Sequence, residues 1–263
     1  MKADALKRIA GMIGDARLAA QPVPELSDAD EPQTIADGYA AQAALHRYFC
    51  DRTGSALVGW KVGATTTDMQ KYLGVDGPAY GRILSINVHE NGATLATSGF
   101  CNPGIECEIA LRIGSDAEDK IYNRETIGGI IDAVLPAIEI VENRYGDFLA
   151  RGTPTLIADD FFHKACVLGM PVTEWRDIDL AAIAGCTWID GTEKGNGTGA
   201  DVMGHPLEAV AWLANTLANH GERLVAGQIV LTGSVAPVIW IESTTASAEI
   251  ELENLGAVRL EIS

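Results

Sequence analysis

The chain has 263 residues, 47% of them hydrophobic, and carries 36 acidic against 19 basic side chains, a formal net charge of −17. That is apolar sequence enough for one large core, and it excludes nucleic acid as a partner, because a phosphate-binding surface needs clustered Lys and Arg. No run approaches the ~18 apolar residues of a membrane span, the N-terminus lacks the unbroken apolar stretch of a secretory signal, and the cysteines form no CxxC pair, so no membrane association, no disulfide framework and a cytoplasmic location are expected.

Leu6, Ile9 and Ile13 share one helical face, and Pro22 and Pro24 stop that first helix. A second helix is expected from about Thr34 to Phe49, with Gly54 beyond its end. Short β-like runs follow at 56–62, 105–113, 137–141, 187–190, 228–232, 238–241, 248–252 and 258–262, punctuated by turn residues such as Asp76-Gly77-Pro78 and Gly233. One more helix opens at His205-Pro206, carries the stripe Leu207, Val210, Ala214 and Leu217, and closes at Gly221. The expected architecture is α+β: a single catalytic unit over 1–263, with a helical N-terminal part (1–55) and a mostly β, metal-binding core (56–263).

Chemistry concentrates in Gly104-Ile-Glu-Cys-Glu-Ile-Ala-Leu-Arg-Ile113, which alternates strictly. Glu106 and Glu108 project from one strand face, roughly 7 Å apart at ~3.3 Å per residue, and Cys107 points to the other, a core position. A third carboxylate, Glu139, lies in the apolar run Leu135-Pro-Ala-Ile-Glu-Ile-Val141, where burying it unpaired would be costly. Spacing alone leaves two readings open: ligands for a hard cation such as Mg²⁺, or solvated residues on an exposed strand face. Lys61 sits in the apolar run Ala56-Leu-Val-Gly-Trp-Lys-Val62. Loss of water there disfavours the charged ammonium, as an acid/base group requires, although position alone also describes a snorkelling or ion-paired Lys.

Other motifs are weaker. Gly195-Asn-Gly-Thr-Gly-Ala200 fits a loose GxGxxA pattern but lacks the βαβ context and the acidic partner of a nucleotide site, so it reads as a loop. Ser234 lacks the GxSxG setting of a nucleophile. His46, His89, His205 and His220 show no i, i+4 pairing for zinc, and the last two read as helix-end residues.

Six segments, in order, resemble the 2-keto-4-pentenoate hydratase group of the fumarylacetoacetate hydrolase superfamily. They are Val58-Gly-Trp-Lys-Val-Gly63, Leu73-Gly-Val-Asp-Gly-Pro-Ala-Tyr-Gly81, Glu106-Cys-Glu108, Leu135-Pro-Ala-Ile-Glu-Ile-Val-Glu142, Met203-Gly-His-Pro-Leu-Glu-Ala-Val-Ala-Trp-Leu-Ala214 and Ala226-Gly-Gln-Ile-Val-Leu-Thr-Gly-Ser234. The resemblance implies a mostly β core with a mixed, rolled sheet. It also implies an Mg²⁺ or Mn²⁺ site at Glu106, Glu108 and Glu139, Lys61 as catalytic acid/base, and a small 2-oxo or 2-hydroxy acid as substrate. Thr232 and the amides around Gly197 and Gly199 are expected to hold the substrate carboxylate.

The chain departs from that group after the third carboxylate. Hydratases there usually carry Ala-Asp-Asn-Ala-Ser-Ser-Gly or something close, whereas this chain reads Ala158-Asp-Asp-Phe-Phe-His-Lys-Ala-Cys-Val-Leu-Gly169. A bulkier pocket wall follows, in which His163 or Lys164 binds substrate; the competing reading is a surface turn with both side chains solvated and the two Phe residues packed inward. The C–C hydrolases of the superfamily use a His and Glu pair after the first core strand, and Gly63–Tyr72 contains neither. The implied reaction is hydration of a 2-hydroxy-2,4-dienoate from aromatic catabolism. The alternatives are a decarboxylase of 2-oxo-3-hexenedioate, with Lys164 or Arg82 receiving the distal carboxylate, a 2-oxo acid tautomerase, or a non-catalytic assembly subunit. Homo-oligomerisation, and complex formation with a related decarboxylase or hydratase, are also implied.

Overall fold

The computed structural model describes residues 1–263. Helices α1 (Ala3–Ala19) and α2 (Ile35–Thr53) open the chain. The Thr34 side chain accepts from the Asp37 amide while Asp37 reaches back, a capping box that starts α2, and Gly54 at φ +70° ends it beyond the expected Phe49. Strand β1 (Leu57–Gly63), helix α3 (Thr67–Leu73) and strand β2 (Ala79–Leu84) follow, the two strands pairing antiparallel. Short strands β3 (Val88–Glu90) and β4 (Ala93–Leu95) carry the chain from one sheet to another. The long β5 (Pro103–Ile113) and β6 (Ile131–Glu142), with α4 (Arg124–Ile127) between them, pair antiparallel along their length. Helix α5 (Gly152–Ala158) leads into β7 (His163–Leu168). The rest comprises the hairpin β8 (Ala184–Ile189) and β9 (Thr192–Thr198), helix α6 (Pro206–Asn219), strands β10 (Ile229–Ser234) and β11 (Ile239–Trp240), and the hairpin β12 (Ser247–Leu252) and β13 (Gly256–Ile262).

Two sheets result. The larger has the order β2-β1-β10-β5-β6-β7-β3, with β11 also on β5; the smaller has the order β4-β13-β12-β8-β9. Both mix parallel and antiparallel pairs. Alternation explains how they stack. Ile105, Cys107 and Ile109 of β5 and Ile138 and Ile140 of β6 point into a core shared with Ile250, Val258 and Leu260 of the smaller sheet. The opposite face of β5 and β6 carries the smaller residues Ala110, Ala133 and Ala137 and, toward one end, the glutamates. Helices α1, α2 and α5 build a second core that takes in Ala64, Ala79 and Phe161, so the N-terminal part leans directly on β1, β2 and the turn before β7.

Two expectations are corrected. Residues 158–169 are not a surface turn: His163–Leu168 is a strand between β6 and β3, and His163 is fully buried. Apolar Ala165, Cys166 and Val167 supply the β character that the polar His163-Lys164 pair obscures. Residues 195–200 are not a loop, because β9 pairs with β8 as far as Thr198. Glycine is required there because a Cβ on Gly197 would lie 1.8 Å from the Val235 carbonyl oxygen, and one on Gly199 1.8 Å from that of Leu180.

Candidate active site

Glu106 and Glu139 are direct Cα partners across β5 and β6, and Glu108 stands two residues farther along the same face of β5. Each of the three offers a carboxylate oxygen within 4.8 Å of the others. Glu108 and Glu139 are fully buried, whereas Glu106 is half-buried and forms part of a cavity wall. The Gly233 amide donates to Glu108 Oε2 at 2.9 Å. Gly233 has φ +113°, and a Cβ there would lie 2.6 Å from Thr65 Cγ2, so the amide can reach the carboxylate only because the residue is glycine.

Lys61, from β1, places Nζ 3.6 Å from Glu139 Oε1, with 2% of its surface exposed. On the other side His163 Nδ1 lies 2.7 Å from the same oxygen. Burial lowers the His163 pKa despite the nearby Glu139 charge, so a neutral ring donates Nδ1–H to an ionised carboxylate and leaves Nε2 without a partner.

The electrostatics are those of a cation site. Burial, then the Glu139 charge, pushes Glu106 up to about 7. Burial, then Glu139 and Glu106, pushes Glu108 well above the usual carboxylate range. Burial opposes the ionisation of Glu139 as well, but Lys61 and His163 outweigh it and hold that carboxyl low. Glu108 Oε1 and Glu139 Oε2 are buried and have no hydrogen-bond partner. Crowded carboxylates with free oxygens either share protons or share a cation, and an all-oxygen donor set fits a hard divalent ion.

A cavity of about 650 Å³ opens from Lys61 and Glu106. Its walls include Tyr72 of α3, Phe148, Phe161, Phe162 and Trp240. The Phe161 ring centroid lies 5.3 Å from Lys61 Nζ. Asp160, Phe161 and Phe162 all adopt positive φ (51°, 50° and 72°), a run costing on the order of 1 kcal/mol per residue. Buried ionic contacts hold it. Asp160 accepts from Arg17 Nη1 at 2.7 Å and from the Arg82 amide at 3.0 Å, and Arg144 and Arg17 both donate to the His163 carbonyl at 3.2 Å.

The remaining expected ligands lie outside this cavity. The Thr232 hydroxyl is buried and donates to the Ile109 carbonyl at 2.7 Å. The Gly199 amide is taken by the Ile183 carbonyl at 2.9 Å, and Gly197 pairs with Gly185 in the sheet. Lys164 Nζ donates to the Arg17 carbonyl at 3.3 Å and lies 3.6 Å from Glu142. Arg82 pairs with Glu222 at 2.9 Å and stacks on Trp60. His163 contacts Glu139 and is not among the residues that line the cavity. Besides Lys61 and Glu106, the polar side chains that reach the cavity are Thr65, Thr66, Asp68, Asn196, Asp201 and Ser234; they carried no spacing signal, because segments distant in sequence converge there.

A family model described as Fumarylacetoacetate (FAA) hydrolase C-terminal matches residues 79–263. The chain is 33% identical over 227 residues to a 2-hydroxyhexa-2,4-dienoate hydratase of Comamonas testosteroni, covering 86% of this chain and 85% of that one. It is 32% identical over 259 residues to a 2-keto-4-pentenoate hydratase of Paraburkholderia phymatum, covering 98% and 97%. Among solved structures, the 4-oxalocrotonate decarboxylase from Pseudomonas putida G7, complexed with magnesium and adipate, superposes with a TM-score of 0.92 at 26% identity, covering 100% of this chain and 99% of that one.

Proposed function

We propose that this chain, which belongs to the fumarylacetoacetate hydrolase family, is a divalent-metal-dependent hydratase that adds water to a 2-hydroxy-2,4-dienoate through its 2-oxo-3-enoate tautomer. Glu106, Glu108 and Glu139 would hold Mg²⁺ or Mn²⁺, which when bound supplies Lewis acidity toward the 1-carboxylate and 2-oxygen of the substrate. The chain's own groups carry the protons. In this reading the Lys61 ammonium, held beside Glu139, gives a proton to C5 and takes one back from the enol oxygen, giving the 2-oxo-3-enoate. Water then adds across C3=C4, its hydroxyl going to C4 and its proton to C3, which yields a 4-hydroxy-2-oxo acid. Phe161 and Phe162 keep bulk water from the Lys61 side, while Thr65, Asn196 and Ser234 supply polar contacts on the cavity wall.

The observation that carries hydration over decarboxylation is the charge lining the cavity. A distal carboxylate wants a cation, yet Lys164 and Arg82 are paired elsewhere, and Lys61 is the one basic side chain in the wall, at the carboxylate end. The test is to mix protein and Mg²⁺ with 2-hydroxypenta-2,4-dienoate, follow the dienol absorbance and identify the product by NMR. Formation of 4-hydroxy-2-oxopentanoate supports the reading. Ketonisation alone, or CO₂ release from 2-oxo-3-hexenedioate in its place, overturns it.

A further inference from the structure

The wall of the cavity is an ordered track of rings. Phe161 touches Phe162 edge-on with centroids 5.7 Å apart, Phe162 touches Phe148 at 5.3 Å, and Phe148 touches Tyr72 at 6.3 Å. The track begins beside Lys61, where Phe161 lies, and ends at Tyr72, which is 59% exposed at the cavity mouth. Val238 and Trp240 belong to the same lining. The acidic side chains that share the lining beyond Glu106 are Asp68 and Asp201, which repel a second carboxylate. A five-carbon dienoate would leave most of the 650 Å³ unfilled, and unfilled apolar space forfeits contact energy.

From this we infer that the substrate carries a bulky, uncharged apolar group, alkyl or aryl, at the end of the dienoate remote from its carboxylate, and that the Phe161–Phe162–Phe148–Tyr72 track selects it. The inference rests on the proposed orientation, with the 2-oxo acid end at Glu106 and Lys61; C5 and its substituent then point along the rings toward the mouth. Edge-on aromatic contacts suit a phenyl or branched alkyl tail, because ring faces and edges left open by one another present an apolar surface at defined geometry. The strained turn gives the same reading a structural basis. Arg17, Arg82 and Arg144 hold Asp160-Phe161-Phe162-His163 in place, so the rings are a preformed wall rather than a mobile flap.

The test uses binding of 2-oxo acids that cannot be hydrated. Calorimetry on full-length protein with saturating Mg²⁺ would compare 2-oxopentanoate, 2-oxo-5-phenylpentanoate and 2-oxohexanedioate. The phenyl compound is expected to bind roughly 10-fold or more tightly than 2-oxopentanoate, from the apolar area removed from water, and the dicarboxylate most weakly. In Phe162→Ser the phenyl preference should shrink several-fold. A phenyl compound no tighter than 2-oxopentanoate, a dicarboxylate that binds best, or failure of every probe to bind would overturn the inference. If the ranking holds while no dienol is hydrated, the hydration reading fails by itself and the tail assignment stands.

Discussion

His163 donates Nδ1–H to Oε1 of Glu139 across 2.7 Å, and neither side chain has any exposed surface. The bond fixes which carboxylate oxygen is occupied and leaves Glu139 Oε2 without a hydrogen-bond partner. An outer partner of this kind typically contributes 10–100-fold to metal affinity. His163→Ala is therefore expected to weaken Mn²⁺ binding by about that factor in calorimetry, with activity returning at high metal concentration, and His163→Asn should recover part of the loss. Unchanged Mn²⁺ affinity in the alanine variant would show that the histidine only fills space.

Lys61 and Glu106 both reach the cavity but should fail differently. Glu106→Ala is expected to abolish metal-dependent stabilisation. Lys61→Ala should keep it and lose ~10²–10⁴-fold in kcat, the usual range for a proton-transfer group. Thermal melts with EDTA and with excess Mg²⁺ separate the two, since ligand at ~100 times its Kd stabilises by about 2.7 kcal/mol. A Lys61 variant that no longer responds to metal would place Lys61 in binding rather than proton transfer.

Gly233 combines a left-handed backbone, close approach to Thr65 and an amide bonded to Glu108. Gly233→Ala is expected to destabilise the fold by roughly 1–3 kcal/mol, the usual cost of such strain, and to weaken metal binding as Glu108 loses its donor. Urea midpoints and Mn²⁺ titration check both. A variant with wild-type values in each would remove Gly233 from the site.

Arg144 is buried between Glu142 and Asp159, 2.7 Å from each, and donates to the His163 carbonyl. Arg144→Met strands two buried carboxylates, for which a loss of about 3–5 kcal/mol is expected. Because the same guanidinium braces the turn, the variant should also lose its phenyl preference at temperatures where it remains folded. Chemical unfolding gives the first number, and retention of wild-type stability would mean that water or Lys164 replaces the arginine.

The sequence alone determined the local geometry of the catalytic strand. Alternation along β5 puts Glu106 and Glu108 on one face and Cys107 in the core because side-chain direction in a strand has period two. The starts of α2 and α6 were legible from Thr34 and His205-Pro206 because capping is a short-range interaction, whereas α2 runs past the expected Phe49 to Thr53. The family could be recognised because short motifs survive in order along the chain. The tertiary structure alone decided that Glu139 stands opposite Glu106, that His163 backs Glu139, and that the Thr232 hydroxyl and the Gly199 amide bond to backbone carbonyls of Ile109 and Ile183. It also decided that Arg17, on the first helix, braces the turn before β7. These are non-local pairings, set by strand register and by the burial of whole faces, and a residue's neighbours along the chain do not encode which distant partner it will meet.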